Sequence, residues 1–482
     1  MNPAAFDPVL ALLATSLVGA AVLAFIPDYR WSARLNILFS GGVLAFALML
    51  FHERPPTNNF LLTDDLNIVF IALNALVGFT TSIFSASYIG HEIETGRLTP
   101  GYLRFYHAIF QLMMFGMDLA LTANNIGLMW VAVELATLST VVMVGIYRTS
   151  DALEAAWKYF ILGSVGIALA LFGTILVYLA AVSALGEGMD SMAWTNLLHR
   201  ASALDPSLLN IAFVFLLLGY GTKVGLAPMH AWLPDAHAEG PTPVSAVLSG
   251  LLLNVALYAL LRYKMIMAAN AATISVGSLM ITLGIGSLIF AAFMLYRRRD
   301  IKRLFAYSSI EHMGIIVFAF GMGGPLANFA GLLQMTMHSL TKSAIFFSVG
   351  HVAQAKGTQR IADIRGLTAS QPVLGWTLVA GVVAIAGLPP FGVFMSEFLV
   401  LTSAFARAPI LAALVVFGLL VAFGALLWRL GGLAFGEPQG PTTPVTASYL
   451  PIFAHLSLVL VGGFYMPGPM VAWFQNVASL LK

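Results

Sequence analysis

The sequence, 482 residues long, contains no cysteine. That absence excludes disulfides, thiolate zinc sites and cysteine-ligated iron–sulfur clusters together. Electrons passing near this chain would travel in a partner, and no redox cofactor is expected in the chain itself. Charge is also scarce. Only 9% of residues are charged, against about 25% in soluble globular domains. With 59% hydrophobic residues and a mean hydropathy of +0.90, the surface is too apolar to face water. The chain therefore reads as an all-α polytopic membrane protein. A soluble enzyme, a nucleic-acid binder and a disordered scaffold are excluded. The opening MNPAAFD has no Lys or Arg, so it lacks the positive n-region of a cleavable signal peptide. The first apolar run is expected to stay as a membrane helix.

What is present is a succession of apolar runs. A span needs about 20 residues. The pattern predicts about fourteen spans, near 8–26, 35–51, 66–89, 103–123, 125–147, 155–184, 208–232, 244–261, 274–296, 303–320, 326–352, 373–402, 409–430 and 447–466. No intervening segment is long enough for a second folded domain, so residues 1–482 read as one transmembrane domain. Lys and Arg in the loops set orientation. Fourteen follow odd-numbered spans, Arg104, Arg297, Arg298, Lys302 and Arg303 among them. Six lie on the opposite side, including Arg262, Lys264 and Lys482. The bias predicts a multi-pass protein of a bacterial-type inner membrane with both termini periplasmic. Lys158, Lys223 and Lys342 remain, and all three fall inside predicted spans.

Acids fall inside spans too: Asp118, Glu134, Glu311 and Glu397. An unpaired central charge costs about 2.5–3.5 kcal/mol, so such residues face a bundle interior or water, pair, and mark ion paths. Glu311 and Asp118 best fit plain packing or snorkelling, since one lies eight residues past Arg303 and the other near the end of its span. Two spans are interrupted. LGYGTKVGLAPMHAWLP places glycines around Lys223 and Pro228 beyond it, and IAGLPPFGVFMSEF places Pro389 and Pro390 before Glu397. Proline removes a backbone donor and clashes with the preceding turn, so spans seven and twelve are expected to be broken. They lie five spans apart. The same offset relates Glu134 to Glu311, and Lys158 to His338 with Lys342. An odd offset inverts the second unit. Spans 4–8 (about 103–262) and 9–13 (about 273–431) are thus predicted to be two inverted five-helix repeats, as in ion-coupled transporters. His230, His237, His312 and His338 lie in or beside spans seven, ten and eleven, and imidazole both gives and takes protons near neutral pH. The stretch HAWLPDAH matches no zinc pattern. No helix pair repeats histidines for a haem, and no metal site is expected.

From Asn125 to Glu397 five motifs together resemble a known family: WVAVELATLS around Glu134, KVGLAPMHAWLPDAHAEGPTPVSA, DIKRLFAYSSIEHMG, MHSLTKSAIFF and GLPPFGVFMSEF. The family is that of the proton-antiporter-like membrane subunits of respiratory complex I, Mrp antiporters and membrane-bound hydrogenases. SSIEHMG with MHSLTKSA looks most like the F component of hydrogenase-4 and related formate hydrogenlyases. The chain stops soon after span fourteen, and the largest complex I antiporter-like subunit, with its long lateral helix, is not expected.

The resemblance implies roles. Glu134 matches the glutamate of helix five, and Lys158 the basic residue of helix six expected to pair with it. Lys223 matches the central lysine of broken helix seven, His338 and Lys342 the pair on helix eleven, and Glu397 the ionisable residue of broken helix twelve. Helix eight departs from the pattern. Many relatives have a lysine or histidine where GLLLNVALY offers Asn254, and an amide needs bound water to pass a proton. The implied function is proton translocation within a multi-subunit oxidoreductase, along a midplane chain from Lys223 through His338 and Lys342 to Glu397. Glu134–Lys158 would act as the switch, His230 would lie on the path, and Asp118, His237, Glu311 and His312 are further candidates. The implied partners are other membrane subunits and a peripheral redox arm, with no catalytic residue in this chain. A Na+/H+ antiporter subunit and the membrane subunit of an inorganic-carbon accumulation complex are the alternatives.

Overall fold

A computed structural model describes residues 6–103, 105–440, 443–444 and 447–481. Arg104 and Lys482, both used in the orientation count, lie outside the described residues. So does MNPAA, most of the opening segment.

The helices are α1 (Pro8–Ala24), α2 (Tyr29–Met49), α3 (Asp65–Glu94), α4 (Pro100–Leu103), α5 (Tyr106–Thr122), α6 (Ile126–Val144) and α7 (Ser150–Leu185). They continue with α8 (Trp194–His199), α9 (Pro206–Val224), α10 (Leu233–Glu239), α11 (Thr242–Val247), α12 (Leu253–Ala268), α13 (Val276–Leu295) and α14 (Ile301–Met322). The rest are α15 (Pro325–Lys356), α16 (Leu367–Ser370), α17 (Pro372–Ile385), α18 (Gly392–Arg407), α19 (Pro409–Ala434), α20 (Leu450–Phe464) and α21 (Gly468–Leu480). A single π-turn, Leu248–Leu252, joins α11 to α12 without a break.

Among the described residues, nine helices are long and apolar enough to cross a membrane, or ten if the bent pair α20–α21 counts as one. The other predicted spans are helical but fall short of that length or apolarity, α5 among them at 17 residues. α1 is short, α15 carries too many polar side chains, and α17–α18 is split at Ala386–Phe391. Interior and rim separate cleanly. The helix 242–268 is wholly buried in its most apolar stretch and α14 nearly so, whereas α2 and α19 turn most of their surface outward. Without water, each backbone polar group needs a partner inside the bundle, which leaves a helix as the economical spanning form. Close helix pairs rest on small residues: a Cβ on Gly284 would stand 2.7 Å from the carbonyl of Gly314, so α13 and α14 meet backbone to backbone.

Several basic residues assigned to loops from sequence are buried. Arg262 on α12 donates through both Nη atoms to Asp64, at 2.6 and 2.8 Å, and through Nε to the Tyr258 hydroxyl at 2.9 Å. Asp64 also caps α3. Lys302 donates to the carbonyls of Ala238 and Gly240. Removing one partner of a buried pair leaves an uncompensated charge. Asp64→Ala is therefore expected to destabilise the protein by about 2 kcal/mol, discounted for the partial exposure of the carboxylate. A thermal melt of the purified protein would show it, and an unchanged midpoint would refute it.

Candidate functional site

Lys223 lies in the last turn of α9. Asp205 caps the other end of that helix, and Gly225 ends it at φ +83, a left-handed conformation that glycine adopts freely. The chain then runs through Pro228 and a 3-10 turn into α10. Trp232 Nε1 donates to the carbonyl of Thr222 at 2.8 Å and so satisfies one group freed by the break. The Trp232 ring stacks on Tyr159 at 4.3 Å, and the Lys223 ammonium lies 5.6 Å from the centre of the Tyr159 ring.

The partner of Lys223 is Glu134 on α6, with Nζ 3.7 Å from Oε2. This corrects the expected Glu134–Lys158 pair. Lys158 is half-exposed and pairs with Glu154 at 2.6 Å and Asp235 at 3.1 Å. Glu154 is four residues away on the same helix, a spacing that favours such pairs. Asp235 also takes Arg303 at 3.1 Å. On the role the resemblance implies, Lys158→Met is expected to keep most proton uptake, because Lys158 takes no part in the Lys223–Glu134 pair and its exposed pairs add little to stability. A loss as deep as that of a Lys223 variant, measured as proton uptake, would restore Lys158 to the centre.

A second cluster gathers around the break between α17 and α18. His312 on α14 lies 3.5 Å from Glu311 and 3.7 Å from Glu397. Its Nδ1 is 3.0 Å from Gln334 Nε2, and its Nε2 is 3.0 Å from the carbonyl of Ile385 at the end of α17. Ser396 donates to Gln334 Oε1. His338 stands beside His312, ring centres 5.5 Å apart. Lys342 is fully buried and donates to the carbonyl of Phe305 at 2.9 Å. Glu311 and Glu397 line one cavity of about 190 Å³ with Gly387 and α19. Glu311, which the sequence offered both as a packing residue and as a further candidate, lies in the cluster, and Gln334 was missed. The signal for Gln334 was its place one turn before His338 on α15.

On α12, Asn254 Nδ2 donates to the Gly250 carbonyl at 2.9 Å and to Ser339 Oγ, next to His338, at 2.7 Å, linking the π-turn to α15. π-turns inside helices often mark functional positions. His230 packs its ring on Phe290, and His237 stacks on Phe346 at 4.8 Å. Neither contacts Lys223 or Lys342 by a hydrogen bond among the described residues. Asp118 lies away from both clusters, on α5, where it accepts from Asn74 at 2.6 Å. Among the described residues no group of three His, Cys, Asp or Glu could hold a metal ion.

Two interrupted helices, each with an acid and a base paired beside its break, define an antiporter-like membrane protein. The chain belongs to the family described as NADH:quinone oxidoreductase/Mrp antiporter, transmembrane, whose model matches residues 123–423. It is 61% identical over 472 residues to a hydrogenase-4 component F homolog of Methylacidiphilum infernorum (isolate V4), covering 98% of this chain and 99% of that protein. It is 26% identical over 443 residues to NADH-quinone oxidoreductase subunit M of Escherichia coli (strain K12), covering 87% and 84%. Its fold is that of a chain in the membrane-bound sulfane sulfur reductase, an archaeal respiratory membrane complex (TM-score 0.87, 23% identity, 98% and 97% covered). A chain of respiratory complex I from Thermus thermophilus shares it as well (TM-score 0.82, 22% identity, 98% and 100% covered).

Proposed function

We propose that this chain is the proton-translocating subunit of a multi-subunit, hydrogenase-type membrane oxidoreductase. The carrying observation is the pair of buried Lys223 with half-buried Glu134 at the end of α9, where the helix stops and the Trp232 side chain meets a freed carbonyl. A lysine beside a carboxylate in a dry site can give up and retake a proton as the local charge changes. The path runs from Lys223 past Asn254 and Ser339 to His338 and Lys342, then through His312 to Glu397 and Glu311. Glu134 is the switch partner of Lys223. The likeness at 61% identity to a hydrogenase-4 component F homolog supports the hydrogenase-type assembly. On this reading the chain holds no redox cofactor, crosses the membrane fourteen times as two inverted repeats, and works beside other membrane subunits and a peripheral redox arm.

The test is reconstitution of the purified complex in vesicles. Proton uptake should accompany redox turnover and vanish with an uncoupler. Redox turnover without uptake, uptake of Na+ in its place, or co-purification with a carbonic-anhydrase-like chain would overturn the reading. Topology has its own test. With both termini periplasmic, a reporter active only in the cytoplasm and fused after Lys482 should stay silent. A bright fusion would reverse the orientation.

A further inference from the structure

Helices α2, α3 and α5 carry a line of buried polar residues that the central path does not use. On α5 it comprises His107, Gln111, Asp118 and Thr122, spaced four, seven and four residues apart. That spacing keeps them on one helix face. On α3 the line comprises Asn67, Asn74, Thr81, Ser85, Tyr88 and Glu92, again at helical spacing. All ten are buried.

The line has two ends. At one end Glu92 accepts from Tyr147 at 3.0 Å and from Gln354 at 2.9 Å. A cavity of about 280 Å³ lined by Tyr88, Arg97, Glu239 and Lys302 lies beside it. At the other end Asp118 accepts from Asn74, and Asn67 donates to the carbonyls of Leu62 and Leu121. Between them, Ser85 donates to Tyr106, and the rings of Tyr29 and Tyr106 stand 5.5 and 5.0 Å from His107. Gln111 donates to Asn36 at 2.8 Å and Ser40 at 2.9 Å on α2.

Packing alone does not account for this line. Both ring nitrogens of His107, Gln111 Oε1, Asn36 Nδ2, Thr81 Oγ1 and Asp118 Oδ2 are buried without a hydrogen-bond partner. Such groups are costly in a bilayer unless water or a moving proton meets them. Between Asp118 and the rest of the line toward Glu92, both helices turn apolar at one level. Met114 stands between Gln111 and Asp118 on α5, and Gly78 stands between Asn74 and Thr81 on α3. A Cβ at Gly78 would meet Met114 Sδ at 3.0 Å, so the thioether lies against the bare backbone of α3. Methionine is unbranched and flexible, which suits a plug able to swing.

We propose that α2, α3 and α5 form a second proton file, from Glu92 through His107 to Asp118, closed midway by Met114 against Gly78. Glu92, His107 and Asp118 are the titratable carriers, and hydroxyls, amides and water relay between them. The carriers all precede Ala123, where the match to the family begins, and the file needs no part of the Lys223 path.

The test uses the complete complex in vesicles with a pH-sensitive dye inside, a potassium diffusion potential and no redox substrate. Met114→Gln fills nearly the same volume with a polar group. It should raise passive proton entry about tenfold or more, as expected when an apolar constriction becomes wettable. Adding Asp118→Asn, which keeps shape but removes the carrier, should return entry to the wild-type level, and Met114→Leu should stay there throughout. No rise with Met114→Gln, or a rise that Asp118→Asn leaves intact, overturns the file. If Met114→Gln does not assemble, Met114→Ser is judged by the same two criteria.

Discussion

Replacing Lys223 with arginine is expected to stop proton translocation by the assembled complex, with uptake falling about tenfold or more, because a guanidinium stays protonated under all working conditions. The substitution keeps a positive charge beside Glu134 and so preserves the ion pair. It removes only the ability to release the proton. Lys223→Ala should stop uptake for the second reason, loss of the charge itself. Both variants should still be recovered in the complex, since the end of α9 is set by Gly225 and the Trp232 bond to Thr222, neither of which involves the lysine side chain. The measurement is proton uptake into vesicles alongside redox turnover. Normal pumping by Lys223→Arg would mean that positive charge suffices, and the carrier role would fall.

Glu134→Gln carries the second large effect. Glutamine keeps the shape of the side chain and removes the charge that holds Lys223 at 3.7 Å. The lysine then lacks the group whose charge adjusts its hold on a proton, and uptake should drop about tenfold. Coupling is the sharper readout. In a cycle with Lys223→Ala, the double variant should be little worse than either single one, because each has already broken the same unit. Effects that simply multiply would show that the two residues act apart.

Much of this architecture could be read from residues alone, and the exceptions have physical causes. The two helix breaks were visible because glycine, proline and a nearby charge rarely coincide inside an apolar run. Which acid faces which base was not visible. Lys158 and Lys223 are equally apolar in their flanks, but α7 turns Lys158 outward to Glu154 and Asp235 while α9 turns Lys223 inward. The Glu154 spacing was the overlooked clue. Arg262 and Lys302 looked like loop charges because each sits close to the end of an apolar run, and only their tertiary partners, Asp64 and two carbonyls, place them inside. Glu311 was set lower for its closeness to Arg303, yet the eight residues between them, about two turns of α14, are enough to carry a side chain from the rim to the cavity beside Glu397. Nine helices, or ten, are long and apolar enough to cross among the described residues, fewer than the fourteen runs read from sequence, in part because the long helix α15 is polar where it serves the site.

The missing side chain of Gly163 has a consequence of its own. A Cβ at that position would stand 2.8 Å from the Lys223 amine, and its other neighbours lie at 3.8 Å or beyond. An added methyl would therefore press on the free end of one flexible side chain and on nothing rigid. The fold would tolerate it, and the whole burden would fall on where the amine can rest. Position 163 is thus a place where the throw of the charged arm can be shortened independently of the frame that holds it. On the proposed function, that makes the rate of proton transfer and the sturdiness of the protein separable quantities.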